Sequence, residues 1–527
     1  MNDVASGGRI NRRRALTLAG TAGAAALVAG RSTASAAPTS RGPADRNELW
    51  RGLVEMNQLG PRLTGNAAHR EFIDSLESRL KSYGITTFRD RTRFDRWEAK
   101  SFGLRLEGRP QPVAAYVPYS GSTPPGGISG ELVYLGTSAP SATSPDLRDK
   151  IVVTDAISPE VPVRLARPLL QYLNDPRRTV KDSDAVSLLA LSMCLPLTTF
   201  RLAGARAVVL VLDASPTNAA GQYVPFLLPL AGIPGVIVDR DTGRRMRTAA
   251  QQRRRATVTL LAEVEHNAAT DDLIAVIPGT GPEISLVNTH TDGPNAIEEN
   301  GPIALLALAR RMSQIPKSSR RRTHVFLFST GHMTSHVGDT QRFIGNHPDW
   351  IRRTASALTI EHLGGMQWVD GPDGYRPTGL TDLMPILTSQ NPSLWAVTRQ
   401  AILATGSERT GILPAVANTG MAGVGVSLNA IGVPTVALLG SPPYLVSSAD
   451  NGHLDKLDPD HFHRQVTLSD AILTRLDATP RSELALGGTL LQGGGQLFPE
   501  AVGIGWQAAR QFLGFAGLLG ANNSGGH

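Results

Sequence analysis

The segment Ile284–Arg310 constrains the fold of this chain most, because it passes from a strand-like run through a polar loop into a helix-like run. Apolar residues are continuous over Ile284–Val287 and recur at helical spacing from Ile303. Strand, loop and helix in this order are half of a βαβ unit, and open α/β sheets bind ligands beyond the carboxyl ends of their strands. The loop holds one imidazole and three carboxylates, from His290, Asp292, Glu298 and Glu299.

The composition of this loop allows two interpretations. A histidine and several carboxylates close together are what a divalent metal ion needs. A turn followed by acids at a helix N-terminus has the same residue types, because the helix dipole favours negative charge there. The loop alone does not decide between the two, so the rest of the chain has to.

Three further strand-like runs also end at histidines or acids. His324–Phe328 leads to His332, Ala357–Ile360 leads to Glu361 and His362, and Thr435–Leu439 leads to Asp450 and His453. If these strands are parallel, their ends meet at one edge of the sheet. The sequence therefore predicts an α/β fold with a mixed, mostly parallel sheet that is flanked by helices and has one polar edge.

Two expectations concern histidines beside this edge. Residues of a strand alternate between its faces, so His362 is expected to point away from Glu361. His336 follows His332 by four residues, and the two rings would share a face if this segment were helical.

The chain before Ile284 has a different sequence pattern. Two amphipathic helices are predicted between Arg46 and Gly84, and Gly84 is expected to end the second. Short strand-like runs then follow from Val113, bounded by Gly, Pro and Asp. Within them, Asp184–Leu195 is expected to be helical and to contain Cys194, the only cysteine, so no intrachain disulfide is possible. We interpret residues 111–265 as a second, β-rich domain.

The N-terminus resembles a twin-arginine (Tat) export signal. Arg12, Arg13 and Arg14 precede an apolar run to Gly30, and Ala34–Ala36 offers a small-residue cleavage site. The apolar run is too short for an ordinary transmembrane helix. The resemblance implies export by the Tat machinery, a secreted or cell-envelope location, and a mature form without a stable membrane span.

The charge of the chain owes much to this segment. The net charge is +7, but residues 1–36 hold five arginines and one aspartate, so the remainder carries +3. We therefore expect no nucleic-acid partner.

Several stretches together resemble the secreted zinc exopeptidases of the aminopeptidase and glutamate carboxypeptidase group, which includes the glutaminyl cyclases. They are Gly60–Gly65 (GPRLTG), Leu273–Ala275 with Pro278-Gly279, His290-Thr291-Asp292 (H-x-D) and Gly432-Val433-Pro434. The β-rich segment is similar to a protease-associated (PA) domain, at Gly130–Tyr134, Asp149–Val152 and Gly204–Ala207.

The resemblance implies a zinc site with one or two ions. It makes His290 the first ligand, oriented by Asp292, and makes Glu298 or Glu299 the bridging carboxylate. Glu361 takes the place of the next ligand, and His453 that of the last, with Asp450 as the alternative. The family has a Glu-Glu pair, catalytic base and then ligand, where this chain has His332-Met333. His332 is therefore expected to act as the base or as a further ligand.

These observations predict an exported, metal-dependent hydrolase of peptide or amide bonds, similar to an aminopeptidase or a carboxypeptidase. One alternative is a degenerate peptidase fold that serves as a binding or scaffold protein, because the Glu-Glu pair is replaced. The other is an acyltransferase of the glutaminyl-cyclase type, which uses one zinc ion. The predicted segments are a signal peptide (1–36), the first part of the peptidase-like domain (37–110), the PA-like domain (111–265), the rest of the peptidase-like domain (266–480) and a Gly-rich tail (481–527).

Overall fold

The computed structural model describes residues 44–137, 145–156, 160–187, 197–223, 230–334, 336–371, 374–415 and 421–485. All of them belong to one compact unit, Gly42–His527. The predicted export signal, Cys194 and the Gly-rich stretch from residue 486 onwards lie outside the described residues. No helix in the described part of the chain is long and apolar enough to cross a membrane.

Two capped helices open the described chain, and their apolar faces explain why they form. The side chain of Asp45 caps the first helix by accepting from the N–H groups of Asn47 and Glu48, and Asn66 caps the second in the same way. The second helix ends at Ser82, and Gly84 follows with a φ of +73°, so the predicted stop is confirmed. The helices are α1 (Arg46–Gln58), α2 (Ala67–Ser82), α3 (Val163–Ala166), α4 (Leu197–Leu202), α5 (Pro216–Ala219), α6 (Arg240–Gln251), α7 (Gly301–Gln314), α8 (Asp339–Asn346), α9 (Pro348–Arg353), α10 (Pro392–Thr405), α11 (Val426–Ala430), α12 (Pro459–Ala478) and α13 (Arg481–Leu484).

Most of the strands in the described residues join one large mixed sheet. Along it the order is β3-β10-β9-β5-β4-β11-β13-β12-β14-β19-β17-β18-β7, with β1 and β2 attached through β11. The strands are β1 (Thr86–Leu106), β2 (Arg109–Gln111), β3 (Ala115–Tyr116), β4 (Ile128–Tyr134), β5 (Lys150–Asp155), β6 (Glu160–Pro162), β7 (Tyr172–Asn174), β8 (Ala185–Ser187), β9 (Ala207–Val211), β10 (Gly235–Val238), β11 (Arg255–Ile277), β12 (Ile284–His290), β13 (Thr323–Ser329), β14 (Thr354–Glu361), β15 (Met366–Gly371), β16 (Gly374–Thr381), β17 (Met384–Thr388), β18 (Thr410–Pro414) and β19 (Thr435–Leu439).

The four strands predicted to carry polar ends form the centre of this sheet. β12 pairs in parallel with β13 and β14, and β14 pairs in parallel with β19. All residues of β12 and β14 are buried, because helices cover both faces of a parallel sheet. Their carboxyl ends therefore meet at one edge, and the predicted fold class is confirmed.

Two long antiparallel strands connect the β-rich region with this centre. β1 pairs with β11 along almost their whole length, from Thr86 opposite Val276 to Leu106 opposite Ala256. The first residues of β11 also pair with β4, and its last residues pair with β13. Residues 111–265 thus contribute to the same sheet as the centre, while their assignment as a separate PA-like domain stays a prediction.

The helix expected at Asp184–Leu195 is wrong for the part that the structure describes. Ala185–Ser187 is strand β8, which pairs antiparallel with β6. Apolar residues in short runs suit either a strand or a helix, and here pairing with a distant strand decides. Residues 188–195 lie outside the described chain.

Candidate metal centre

Four side chains converge at the carboxyl edge of the central strands. His290 ends β12, Glu361 ends β14, His362 follows it, and Glu298 lies in the loop before α7. His362 Nε2 lies 3.3 Å from Glu298 Oε2 and 3.7 Å from Glu361 Oε2, and His290 Nε2 lies 3.6 Å from Glu361 Oε2. All four residues are buried, with at most 4% of their surface exposed. We call this group, His290, Glu298, Glu361 and His362, the metal cluster.

Backbone carbonyl groups fix the tautomer of both histidines in the metal cluster. His290 Nδ1 lies 2.9 Å from the carbonyl oxygen of Asp292, and His362 Nδ1 lies 2.8 Å from that of Gly440. A carbonyl oxygen only accepts, so each Nδ1 carries the proton and donates it. Each Nε2 therefore turns a lone pair toward the carboxylates, which is the arrangement of metal-binding histidines.

Five atoms of the metal cluster have no hydrogen-bond partner among the described residues. They are His290 Nε2, His362 Nε2, both carboxylate oxygens of Glu298 and Glu361 Oε2. Buried polar atoms are rarely left without partners, and lone pairs that face carboxylates repel one another unless a cation lies between them. Ligands about 2.1 Å from a tetrahedral zinc ion lie roughly 3.4 Å apart, close to the separations here. The residues therefore fit a zinc ion.

Neighbouring groups hold the carboxylate of Glu361 in place. The backbone N–H of Val424 donates to Glu361 Oε1 at 2.8 Å, which leaves Oε2 directed at the two histidines. The preceding residue, Gly423, has a φ of +70°, and a Cβ there would collide with this carboxylate. Only glycine permits so close an approach of backbone to ligand.

Burial shifts the pKa of each member of the metal cluster toward its neutral form. It raises the pKa of Glu298 to about 8 and that of Glu361 to about 7, although His332 opposes both shifts. Burial, with His332 next, lowers the pKa of His362 to about 3 and that of His290 well below its usual range. A bound divalent cation would favour the charged carboxylates and the neutral imidazoles.

His332 lies against the metal cluster, and its side chain is 13% exposed. Its ring stacks on His290 with centroids 4.1 Å apart, Nε2 lies 3.6 Å from Glu298 Oε1, and Nδ1 lies 3.7 Å from Asp339 Oδ2. Burial lowers the pKa of His332, but Asp339, Glu298 and Glu361 outweigh burial and raise the pKa to about 9. One of its ring nitrogens is close enough to ligand atoms of His290 and Glu298 for the three residues to hold an ion together.

His336 does not share a helical face with His332. The described residues from His332 to Gly338 are not helical, and α8 begins only at Asp339. The ring of His336 packs edge-on against Tyr119, with centroids 5.2 Å apart. Gly331 and Gly338, on either side, have positive φ values of 94° and 82°, which glycine adopts readily.

The expected orientation of His362 is wrong, because the residue lies beyond the end of its strand. β14 ends at Glu361, and His362 has a φ of +60°. This left-handed backbone turns the imidazole toward the same side as the Glu361 carboxylate instead of the opposite face. Sequence reasoning therefore missed His362, and a histidine directly after a strand-end ligand is the signal that could have suggested it.

Of the two adjacent glutamates, only Glu298 faces the metal cluster. The carboxylate of Glu299 forms an ion pair with Arg62, and both side chains are fully buried. Arg62 also donates to the carbonyl oxygens of Met56 and Asn295. Arg62 belongs to the GPRLTG stretch, so this turn holds Glu299 in place. It also holds the loop between β12 and α7, residues 291–300, which we call the metal loop.

Asp292 contributes two groups to the site: its backbone carbonyl orients His290, and its carboxylate holds neighbouring loops together. Its carbonyl oxygen accepts from His290, as described above, whereas its carboxylate accepts from the side chain of Thr64 and from the N–H groups of His332 and Met333. The carboxylate thus ties the GPRLTG turn to the loop that carries His332. Arg62 and Thr64 were missed from the sequence as functional residues, although the resemblance marks their motif.

The structure does not bring His453 to the metal cluster. Its Nε2 lies 2.7 Å from the hydroxyl of Ser447, and its Nδ1 lies 3.0 Å from Nζ of Lys456. Both ring nitrogens are therefore engaged in a turn after β19. Its alternative, Asp450, is exposed to solvent and does not belong to the buried cluster.

Comparisons with known proteins agree with this architecture. No protein-family model matches the chain, and no curated protein is significantly similar in sequence. A peptidase M28 precursor from Shewanella amazonensis SB2B matches in structure with a TM-score of 0.60 and 16% identity, over 82% of this chain and 96% of that chain. A zinc aminopeptidase from Bacillus subtilis matches with a TM-score of 0.57 and 15% identity, over 83% and 97% of the two chains.

An aminopeptidase from Aneurinibacillus sp. strain AM-1 matches with a TM-score of 0.55 and 16% identity, over 81% of this chain and 93% of that chain. These matches extend over nearly the whole length of each aminopeptidase. The chain therefore has the mixed α/β fold of the zinc aminopeptidases. At such low identity the similarity concerns the fold, and the chemistry has to be argued from the site itself.

Proposed function

We propose that this protein is a metal-dependent hydrolase of peptide or amide bonds, similar to an exopeptidase. The observation that carries the proposal is the metal cluster, in which five buried ligand atoms lack hydrogen-bond partners among the described residues at the edge of an aminopeptidase-like sheet. His290, Glu298, Glu361 and His362 would hold the metal, with His332 in reach as a further ligand. Zinc suits two imidazoles and two carboxylates, and the separations do not fix whether one ion or two are bound.

When bound, zinc would polarise the carbonyl group of the substrate and lower the pKa of a water molecule. The chain itself has to accept the proton of that water and pass it to the leaving amine. Nε2 of His332 faces Glu298 in the metal cluster, while the Asp339 carboxylate lies on its Nδ1 side and restrains the ring. A divalent cation in the metal cluster would lower the pKa of His332 from about 9, because it repels the imidazolium form. With the metal bound, His332 would take the place of a carboxylate base, and its Nε2 is the atom that would carry the proton.

The β-rich segment is proposed to shape access to this site, as a PA-like domain would. Tyr119 comes from that segment, is 2% exposed and has a φ of +59°. Its ring packs on His336, four residues after His332. An aromatic side chain in this position excludes water from the loop that carries the proposed base.

The Tat-like N-terminus motivates a further proposal, that the protein is exported and works outside the cytoplasm or in the cell envelope. Its transient partner would be the Tat machinery, and its lasting partner would be a peptide or amide substrate. Cell fractionation of a host with a working Tat system would test this. Replacing Arg12 and Arg13 by lysine should retain the protein inside the cell, and unchanged export would contradict the proposal.

Metal analysis combined with an aminoacyl-anilide panel tests the hydrolase function. Purified protein should contain zinc, release anilide and lose both properties after treatment with a chelator. His290→Ala should lack zinc and activity, while His266→Ala, at an exposed histidine, should keep both. Protein without zinc and without chelator-sensitive turnover would contradict the proposal and favour a binding or scaffold role. Cyclisation of a glutaminyl peptide without hydrolysis would favour the glutaminyl-cyclase type.

A further inference from the structure

A small cavity lies beside the metal cluster and takes no part in the steps described so far. About 10 Å³ of it is open to a water-sized group, which is room for roughly one water molecule or one ammonium group. Its wall contains His362 of the metal cluster, together with Ile297, Gly440, Asp382 and His461. Ile297 directly precedes Glu298, and His362 itself belongs to the metal cluster. The cavity therefore lies next to the proposed metal site.

The topology places this cavity at the same edge of the sheet as the metal cluster. Gly440 follows the carboxyl end of β19, next to β14. Asp382 precedes β17, which runs antiparallel to β19, so the start of β17 lies at the edge where β19 ends. A group bound there would reach the metal cluster past His362.

Asp382 contributes a carboxylate that no cation neutralises. It accepts a hydrogen bond from the backbone N–H of Leu383, and it forms no ion pair with any described residue. Arg409 is the cation whose charge acts on it, but Arg409 is itself paired with Asp184 at 3.2 Å. Burial raises the pKa of Asp382 to about 7. A carboxylate in this setting gains most from a ligand that brings a positive charge.

His461 contributes a second polar group to the same wall. The residue is 5% exposed, and its Nδ1 has no hydrogen-bond partner among the described residues. Burial lowers the pKa of His461 to about 4, so the ring is neutral near pH 7 and does not repel a cation. In the tautomer protonated at Nε2, its Nδ1 accepts a hydrogen bond.

We propose that this cavity binds a primary ammonium group of the substrate, with Asp382 and His461 as the acceptors. The proposal rests on the hydrolase function and deepens it, because a carboxylate in the wall attracts an amine and repels a carboxyl terminus. It therefore favours an aminopeptidase over a carboxypeptidase. The ammonium group can be the α-amino group or the side chain of a basic residue, and the two sources share the same chemistry.

Calorimetric titration of the zinc-loaded protein with n-butylamine and with 1-butanol tests the cavity without any turnover. The two probes match in shape, and only the amine is charged at neutral pH. We expect the amine to bind at least about tenfold more tightly, as for a charge-assisted hydrogen bond. Equal affinity of the two probes would overturn the proposal, whatever any variant does.

Asp382→Asn removes the charge and keeps the shape, so it should abolish the preference for n-butylamine. Asp349→Asn is the matched control, since this carboxylate is 77% exposed and should leave the preference unchanged. Circular dichroism checks that both variants fold. A preference for the amine that survives in folded Asp382→Asn would overturn the assignment to Asp382.

Two p-nitroanilides separate the sources of the ammonium group. Cleavage of the leucine anilide, with a KM about tenfold higher in Asp382→Asn, would assign the cavity to the α-amino group. Cleavage of the Nα-acetyl-lysine anilide with the same sensitivity would assign it to a basic side chain. Identical KM values in wild type and variant would overturn the proposal. If neither anilide is cleaved but n-butylamine still binds preferentially, the hydrolase function fails and the ammonium site stands.

Discussion

Single residues decide which atoms of this site are available to a ligand. The carbonyl groups of Asp292 and Gly440 hold the protons of His290 and His362 at Nδ1, so that both Nε2 atoms stay free. The positive φ of His362 turns its ring to the side of the Glu361 carboxylate. Tautomer and backbone conformation together, rather than residue type alone, therefore create the metal cluster.

Glu298 and Glu299 allow a sharp comparison, because they are adjacent and equally buried. Glu298→Gln should lower the affinity for zinc by about two orders of magnitude or more, since it removes a charged ligand. Glu299→Gln should leave zinc affinity within about tenfold but lower stability, because Arg62 loses its partner. Zinc titration and urea unfolding of both variants measure this. Equal loss of zinc in the two variants would refute the assignment of Glu298.

His332 carries the proposed proton transfer, so His332→Ala should lower kcat by roughly two orders of magnitude or more. Zinc content should stay near the wild-type value if His332 is only the base, and it should fall if His332 is a ligand. Steady-state kinetics and metal analysis on the same preparation distinguish the two, with His266→Ala as the control. A variant with full activity and full zinc content would show that His332 has neither role.

At the level of elements, the GPRLTG turn joins the N-terminal helices to the metal loop. The backbone of Arg62 pairs with that of Gly293, and its side chain reaches Asn295 and Glu299. The turn also approaches the loop through Thr64, which donates to Asp292. The metal loop thus owes its shape to a turn more than two hundred residues earlier in the chain.

Breaking the buried ion pair should therefore destabilise the whole unit. Arg62→Met should lower the free energy of unfolding by about 3–5 kcal/mol, because Glu299 stays buried without a counter-charge. Arg79→Met breaks an exposed pair with Glu55 and should cost less than about 1 kcal/mol. Urea unfolding compares them. The double variant completes the comparison. If Glu299→Gln lowers the free energy of unfolding by the same amount in the Arg62→Met background as in wild type, the two residues are not coupled.

The sequence predicts best those elements that can be recognised from their own apolar residues, without knowledge of a distant partner. β12, β13, β14 and β19 were all expected, since a strand that is buried on both faces contains a run of apolar residues. β1 was not expected, because its residues are mainly polar and its pairing with β11 is accompanied by ion pairs such as Arg89 with Asp271 and Arg96 with Glu265. Such a strand depends on a partner 150 to 190 residues away.

The candidate site divides in the same way. His290 and Glu361 could be predicted because each is the last residue of a buried strand. The choice between Glu298 and Glu299 could not, because it depends on where Arg62 lies in space. His362 was missed because strand alternation does not apply to a residue with a φ of +60°.

At the scale of the whole molecule, one continuous sheet and one compact unit link the N-terminal helices, the β-rich region and the site. His69 is one of the connections, because it lies on α2 and its Nε2 is 2.8 Å from the hydroxyl of Thr291 in the metal loop. Its Nδ1 accepts from the N–H of Gly65. A charge on this buried ring would break the second bond, since Nδ1 would then carry a proton.

The pH dependence of global unfolding should therefore report on His69. Burial lowers its pKa from 6.5 to about 4, so between these values the unfolded chain binds a proton that the folded chain does not. The contribution of His69 to stability is complete above pH 6.5 and is lost as the pH falls toward 4, by about 1.4 kcal/mol per pH unit and about 3 kcal/mol in total. His69→Gln lacks this proton and should have a shallower decline.

Urea unfolding at pH 7.5, 6.5, 5.5 and 4.5 measures the difference, with a chelator present so that loss of metal does not contribute. The advantage of wild type over His69→Gln should shrink steadily below pH 6.5. His266→Gln is the control, because this side chain is 73% exposed and its removal should leave the pH dependence of wild type unchanged. Parallel curves for wild type and His69→Gln would mean that His69 takes up a proton equally in the folded and unfolded chain. In that case the connection between α2 and the metal loop would not depend on a neutral ring.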